Sequence, residues 1–418
     1  MGKITWMRTS CYFFTCAVAF FSLNSQAELL SLKDAFESAS QKNELPRIQN
    51  QRVEEAHERT RQARGAFMPT IAALGSYSRQ DQENINGKTS RNFRINAQQP
   101  VFRGLRQYAS YDAVTASERA EHERVRQTQL SLYAQVAQSY YELLAAEADL
   151  DSLRTLARLT EKRRSEMQSR SENGRARIGD LLSTQAQGAS VDAQIEAGQS
   201  RLEQAWTNFM RITGLETKKD IPDINEAPPM PAELETYLNK IQQRPDIAAQ
   251  QATYEASEAA VKIARGGHFP SLDLSGNYYL ERKGGVLAQS KWDVGAQLSI
   301  PLFQGGVVKA QVGEAAARSA EQRIELERLR RNAETEIRNI YSTSSSAVRQ
   351  YTALERALEI SKRNFDTQVK DYRLGLATSL DALQALNNYQ DLQRSLERVR
   401  YQALTSLAML NVASGEIK

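Results

Sequence analysis

Two short stretches hold the residues best placed for chemistry, Asn173-Gly-Arg-Ala-Arg-Ile-Gly-Asp180 and Arg373-Leu-Gly-Leu-Ala-Thr-Ser-Leu-Asp381. Each interrupts a helical pattern at a glycine, Gly174 or Gly375, and sets an aspartate at the start of the next helical run. A carboxylate there has two uses. It can cap the free N–H groups of the new helix, a contribution of about 1 kcal/mol. If several copies of the chain brought such aspartates to one axis, the carboxylates would repel one another and some of their pKa values would rise. Such a ring would attract multivalent cations. Arg175 and Arg177 would offset the charge of Asp180, so Asp381 is the stronger candidate.

The remaining chemistry-bearing residues do not assemble into a catalytic set. The histidines are His57, His122 and His268, and no HExxH, CxxC, phosphate loop or GxSxG accompanies them. His268 sits where a helix gives way to a strand, and its counterpart earlier in the chain is Phe67, which favours a structural role. Adjacent carboxylates such as Glu54 and Glu55 read as helix-surface charge. The expectation is therefore no enzyme, no cofactor and no metal site.

The elements around these breaks are set by composition and pattern. The chain has 418 residues, 25% of them charged, and a mean hydropathy of −0.56, which favours long solvated helices over one thick core. Lys3 and Arg8 precede an apolar run from Cys11 to Leu23 closed by Ser25-Gln-Ala27. This is the pattern of a secretory signal peptide (residues 1–27) cut after Ala27, and the run is too short to anchor the chain across a membrane. Both cysteines lie inside it, so the mature chain would have no disulfide. Loss of Lys3 and Arg8 lowers the formal charge from +4 to +2, which gives no reason to expect nucleic acid as a partner.

Shifting the chain by 201 positions lays it over itself. Ala63–Pro69 falls on Ala264–Pro270, Tyr77 on Tyr278, Pro100 on Pro301 and Phe102 on Phe303. Gly104 falls on Gly305, Tyr140 on Tyr341, Gly174 on Gly375, Asp180 on Asp381 and Gly214 on Gly415. The organisation is then a first repeat over 28–214, a proline-rich connector over 215–232 that cannot be helix, and a second repeat over 233–418. Each repeat reads as a helical lead-in (about 31–67 and 233–266), two strands (about 70–80 with 92–102, and 271–282 with 291–303) and a long helical hairpin (105–213 and 306–413). Turn formers Asn86-Gly87 and Gly284-Gly285 join the strands, and Gly104, Gly305 and Gly306 free the backbone to pass from strand to helix. In the second long run Leu326, Leu329, Ala333, Ile337 and Ile340 recur at three- and four-residue steps, as along a coiled-coil seam.

The strands are two-faced. In Lys291-Trp-Asp-Val-Gly-Ala-Gln-Leu-Ser-Ile300, Trp292, Val294 and Leu298 share one face while Asp293 and Gln297 share the other; Leu272 and Leu274 alternate with Asp273 and Asn277 in the same way. Strands of about 11 residues can cross a bilayer when tilted, with Leu272, Leu274, Trp292, Val294 and Leu298 towards lipid. Four strands cannot close a membrane barrel, whose minimum is about eight, and open edges are not tolerated in lipid. Copies of the chain must then pool their strands. A run of about 66 helical residues reaches roughly 100 Å, the scale of a cell-envelope compartment. A periplasmic or surface coiled coil is the alternative, but it leaves the repeated amphipathic hairpins without a role.

The passages "ARGAFMPTIAALGSY" (63–77), "ARGGHFPSLDLSGNY" (264–278), "LSIPLFQGG" (298–306) and "YRLGLATSLDALQA" (372–385), together with the tandem repeat, resemble the TolC family of outer-membrane efflux proteins over essentially the whole mature chain. The resemblance implies a mainly α fold and a homotrimer, with a 12-stranded outer-membrane barrel continued by a 12-helix periplasmic tunnel. It implies an exit duct for efflux or type I secretion, a channel with no catalysis of its own. Its partners would be outer-membrane lipid, a periplasmic adaptor and an inner-membrane efflux or ABC-type pump. The hairpin tips, with Gly174, Arg175, Arg177, Tyr372, Gly375 and Ser379, would meet the adaptor, and Asp381 with Asp180 would line the periplasmic aperture. Two positions depart from the familiar pattern: Ala377 stands where a basic residue often locks the closed state, and Gln384 where a second acid is usual.

Overall fold

The computed structural model describes residues 29–79, 81, 89–174, 176–222, 226–283 and 289–417. The expected signal peptide, both strand-joining turns and Arg175 lie outside the described residues. The elements run α1 (Leu32–Lys42), α2 (Glu44–Gly65), β1 (Thr70–Arg79), β2 (Thr89–Arg103), α3 (Arg106–Glu172), α4 (Ile178–Thr213), α5 (Leu234–Leu238), α6 (Pro245–Arg265), β3 (Ser271–Lys283), β4 (Trp292–Ser299), α7 (Val307–Leu374) and α8 (Ser379–Ala413). At 67 and 68 residues, α3 and α7 are each about 100 Å long.

Neither lead-in is one helix, and the reason is local. In the first, Ser31 and Asp34 form a reciprocal cap that starts α1. Asn43 then leaves the helical region, and its side-chain oxygen accepts from Leu45 N at 3.0 Å, starting α2. In the second, Pro245 occupies the first helical position of α6, where its missing N–H costs nothing. A single 3₁₀ turn separates α6 from α5.

The four strands form one antiparallel sheet in the order β1-β2-β3-β4. Within the hairpins Thr70 faces Gln98 and Ser271 faces Ser299. Both members of the second pair lie 201 positions beyond those of the first, so the two hairpins share one register. The central pairing sets Asn96 against Asn277 and Gln98 against Ser275, with irregularities at Phe93/Arg94 and Pro100/Phe102. β4 stops at Ser299, short of the expected Phe303, because Pro301 has no N–H to donate. Among the described residues, β1 and β4 each pair on one side only.

The helices pack in two hairpins, α3 with α4 and α7 with α8, and α3 also runs against α8 and α6. The main core gathers Leu132, Val136, Tyr140, Phe209, Ile212 and Trp206 beneath α1. Its counterpart in the second repeat is Tyr237, Ile337, Leu410 and Ala413. Three of these pairs, Val136/Ile337, Phe209/Leu410 and Ile212/Ala413, are repeat mates. Each large apolar side chain fully buried here contributes about 1.5–3 kcal/mol. No helix among the described residues is long and apolar enough to cross a membrane.

Candidate functional site

Three regions carry the sequence-derived candidates: the sheet, the strand-to-helix turns and the hairpin tips. On the sheet, Tyr77, Phe93, Ile95, Leu274, Tyr278, Trp292, Val294 and Leu298 are all exposed large apolar residues. The register places them on one face, with Tyr278 beside Trp292 and Leu274 beside Ala296. Leu272 shares that face but is half-buried, since it sits between Phe102 and Leu298 in the ladder. The opposite face is a polar network. Asn96 Nδ2 donates to Asn277 Oδ1 at 2.9 Å, and Asn277 Nδ2 donates to Asp293 Oδ1 at 2.8 Å. Nearer the helices the Arg103 guanidinium pairs with Asp273 at 2.9 Å.

The turns show why glycine is needed. Gly104, Gly305 and Gly306 all have positive φ, at 64°, 60° and 82°. At Gly104 space is also decisive, because an added Cβ would stand 2.3 Å from Gly266 O. The next residue, Leu105, has φ 60°, a conformation that costs a non-glycine residue about 1–2 kcal/mol. Its repeat mate is Gly306. Sequence reasoning passed over Leu105, and the signal that could have found it was this leucine standing against a glycine at the 201-residue shift.

At the tips, Gly174 and Gly375 both close their helices with positive φ, 68° and 79°. The second turn is tied more firmly: Leu376 N donates to Asp371 O at 2.8 Å. Thr378, not Asp381, is the residue that caps α8. Its N–H and hydroxyl donate to Asp381 Oδ2 at 2.8 and 2.6 Å, and Asp381 N donates back to Thr378 Oγ1 at 3.2 Å. These bonds from Thr378 hold the Asp381 carboxyl below its usual range, so within one chain the effect on its pKa is opposite to the rise expected for converging carboxylates. In the first tip Arg177 occupies the capping position with no side-chain cap bond, and Asp180 N donates to Arg177 O at 3.0 Å.

α3 reaches across to hold the second tip. Tyr372 has the guanidinium carbons of Arg163 and Arg170 at 5.5 and 4.8 Å from its ring centre, and its hydroxyl meets Met167 Sδ at 3.3 Å. Arg163 Nη2 donates to Ser379 O at 2.5 Å and to Ser379 Oγ at 3.2 Å. Burial pushes the Arg163 pKa down, partly countered by Tyr372, Glu166 and Asp180 nearby. Arg163, Met167 and Arg170 were not singled out from sequence; their i, i+4, i+7 spacing just before Gly174 was the available signal. Farther along, Asp149 of α3 accepts from Arg394 of α8 at 2.7 Å and from Arg201 of α4 at 3.0 Å. The two hairpins are thus bound together at two heights. The ends of both tips remain apolar and open, with Ile178, Leu182, Leu374, Leu376 and Leu380 exposed. Among the described residues no group of three or more His, Cys, Asp and Glu side chains is gathered to hold a metal ion.

The family profile for outer membrane efflux proteins matches the chain twice, at residues 37–215 and 237–416. The outer membrane protein TolC of Vibrio cholerae is 24% identical over 375 residues, covering 87% of this chain and 85% of the relative. The alkaline protease secretion protein AprF of Pseudomonas aeruginosa is 24% identical over 332 residues, 77% of this chain and 69% of the relative. Among solved structures, CusC superposes with a TM-score of 0.83 at 22% identity, covering 92% of this chain and 91% of that one. The outer membrane protein VceC of Vibrio cholerae gives 0.80 at 21%, covering 92% and 96%. With both repeats matched and the fold shared over 92% of the chain, the chain belongs to the outer membrane efflux protein family, a family of channel proteins in the outer membrane that extend into the periplasm.

Proposed function

We propose that three copies of this chain close into one duct: a 12-stranded barrel in the outer membrane joined to a 12-helix tunnel through the periplasm. The duct would receive substrate from an inner-membrane efflux or ABC-type pump through a periplasmic adaptor. The observation that carries closure is the common register of the two repeats together with the two open sheet edges. Inside the chain, β2 pairs with β3 so that Asn96 meets Asn277. Moving each partner by one repeat puts Gln297 of β4 opposite Ser76 of β1 in the next copy, both on the polar face. The side chains near that seam are the ones left bare. Leu302 and Phe303 are 93% and 88% exposed and Ile71 is 73% exposed, whereas their repeat mates Val101 and Phe102 are only 51% and 37% exposed and Leu272 is half-buried. Covering these groups with a second copy of the same surface follows the hydrophobic effect without any new chemistry.

In such a duct the apolar sheet face, including Leu272, Leu274, Trp292, Val294 and Leu298, meets lipid. The Thr378-capped tip brings Asp381, with Asp180 beside it, to the periplasmic aperture, and the exposed apolar ends around Gly174, Arg177, Gly375 and Ser379 offer the adaptor a surface. The division into a first repeat, a connector over 215–232 and a second repeat is the unit of this assembly. Closure is tested by the mass of detergent-extracted protein from the outer-membrane fraction: a protein mass of three chains is expected, and a stable monomer with its full β signal would contradict it.

A further inference from the structure

The polar face of the sheet changes sign along its length. At the helix end, Arg103 is matched by Asp273, and past the Gln98–Ser275–Gly295 rung comes the Asn96–Asn277–Asp293 ladder. Beyond it, towards the strand-joining loops, Arg94 faces Tyr279 and Asn92 faces Arg282 across β2 and β3. The Arg282 guanidinium carbon lies 4.3 Å from the Tyr279 ring centre, which fixes its direction. Arg94 Nε, Arg282 Nη1 and Asn92 Oδ1 are shielded from solvent and have no hydrogen-bond partner. Among the described residues, Asp293 is a carboxylate in electrostatic reach of both arginines. Arg91 and Lys283 pair in the ladder one residue further out, and Glu281 pairs with Phe93 of the apolar face.

We propose that this rung is an anion-binding collar in the barrel lumen near its extracellular mouth, suited to multivalent oxyanions such as phosphate groups. The inference rests on the three-copy duct, which brings each copy's Arg94 and Arg282 around one aqueous axis. Among the described residues, every protomer then adds two guanidinium groups against the Asp293 carboxylate, so the rung has a positive excess. Guanidinium groups match phosphate oxygens with paired N–H donors, and rings of arginine favour anions in pores. The Tyr279 ring stiffens one of the two arginines, which lowers the ordering cost of holding a ligand.

Tripolyphosphate added to one chamber or the other of a planar bilayer holding the purified channel tests this, with the mass of the same preparation measured alongside. Block is expected from the extracellular side, weakening as salt is raised. In the Arg94→Gln/Arg282→Gln double variant the half-blocking concentration should rise about tenfold or more, while Arg94→Lys/Arg282→Lys falls between. Arg103→Gln, whose arginine is already paired, should block like the parent. Equal block in the parent and the double variant, or no block in an intact trimeric channel, overturns the collar and leaves the duct standing. A preparation without three-chain mass or conductance overturns the duct, and the collar falls with it.

Discussion

Position 43 in the first repeat is asparagine and its mate, position 244, is arginine, yet both do one job. Asn43 Nδ2 donates to Ile212 O at 3.0 Å, and Arg244 Nη1 donates to Ala413 O at 2.8 Å. The two carbonyls are themselves repeat mates at the ends of α4 and α8. Each side chain is buried and pins the end of a returning helix to the lead-in. The difference lies in what else it must satisfy. The amide is content with one carbonyl and its own helix cap, whereas the guanidinium also engages Asp246 at 2.7 Å and Glu336 at 2.9 Å. A duplicated fold preserves the geometric demand, a donor at that carbonyl, and lets the chemistry diverge.

The tips diverge in the same manner. Both turn at a left-handed glycine, but only the second has a capping box and the grip of Arg163 on Ser379. The first has an uncapped start and its own aspartate within reach of the same Arg163.

The largest difference between repeats should appear on truncating the paired positions. Arg244→Ala strips two carboxylates and a carbonyl of their buried donor and should cost about 3 kcal/mol, against about 1 kcal/mol for Asn43→Ala, read from denaturant unfolding in detergent. Equal costs would mean that the acidic partners of Arg244 contribute nothing. On the sheet the repeats should behave alike: Phe93 and Val294 are mates on the apolar face, and arginine at either should cost a like amount, up to roughly 2–4 kcal/mol according to its depth in the membrane. A change at Gln297 should be mild, and equal damage at Gln297 and Val294 would argue against a lipid-facing and a water-facing side.

At the tips a smaller contrast is expected. Thr378→Ala should weaken the start of α8 by about 1 kcal/mol, and Arg177→Ala should leave α4 almost untouched, as read by hydrogen exchange of the first helical turns. The pH dependence has a definite sign. Since Thr378 depresses the Asp381 pKa, this cap is complete above the ordinary aspartate value of 3.8 and is lost as pH falls through the lowered one. Exchange corrected for its intrinsic rate should therefore rise in acid at the second tip. Asp381→Ala should also reduce cation selectivity and divalent-ion block in planar bilayers; if both persist, Asp381 is a cap partner alone.

Much of the fold was legible because it repeats. One shift of 201 residues located the strands, the tips and both long helices, and period-two alternation separated the faces of β4. The misses were interactions between elements distant in sequence. No pattern near Tyr372 announces Arg163, which approaches only because α3 runs along α8, the hairpin partner of α7. The split lead-ins escaped because Asn43 reads as one polar residue in a helical run until its amide is seen capping two helix ends. Alternation overruns β4, because it continues through Ile300 while Pro301 removes the next hydrogen bond.

Closure of the sheet between copies is tested most directly by cysteine pairing, since both native cysteines fall within the expected signal peptide. In a chain bearing Gln297→Cys and Ser76→Cys, oxidation should convert the monomer band to a covalent ladder ending at three chains under denaturing conditions. Gln297→Cys with Ala72→Cys, four residues out of register, should not. Efficient cross-linking of the displaced pair would show closure in another register. If neither pair links in protein that stays monomeric, β4 and β1 do not meet between copies and the duct as built from the two repeats is wrong.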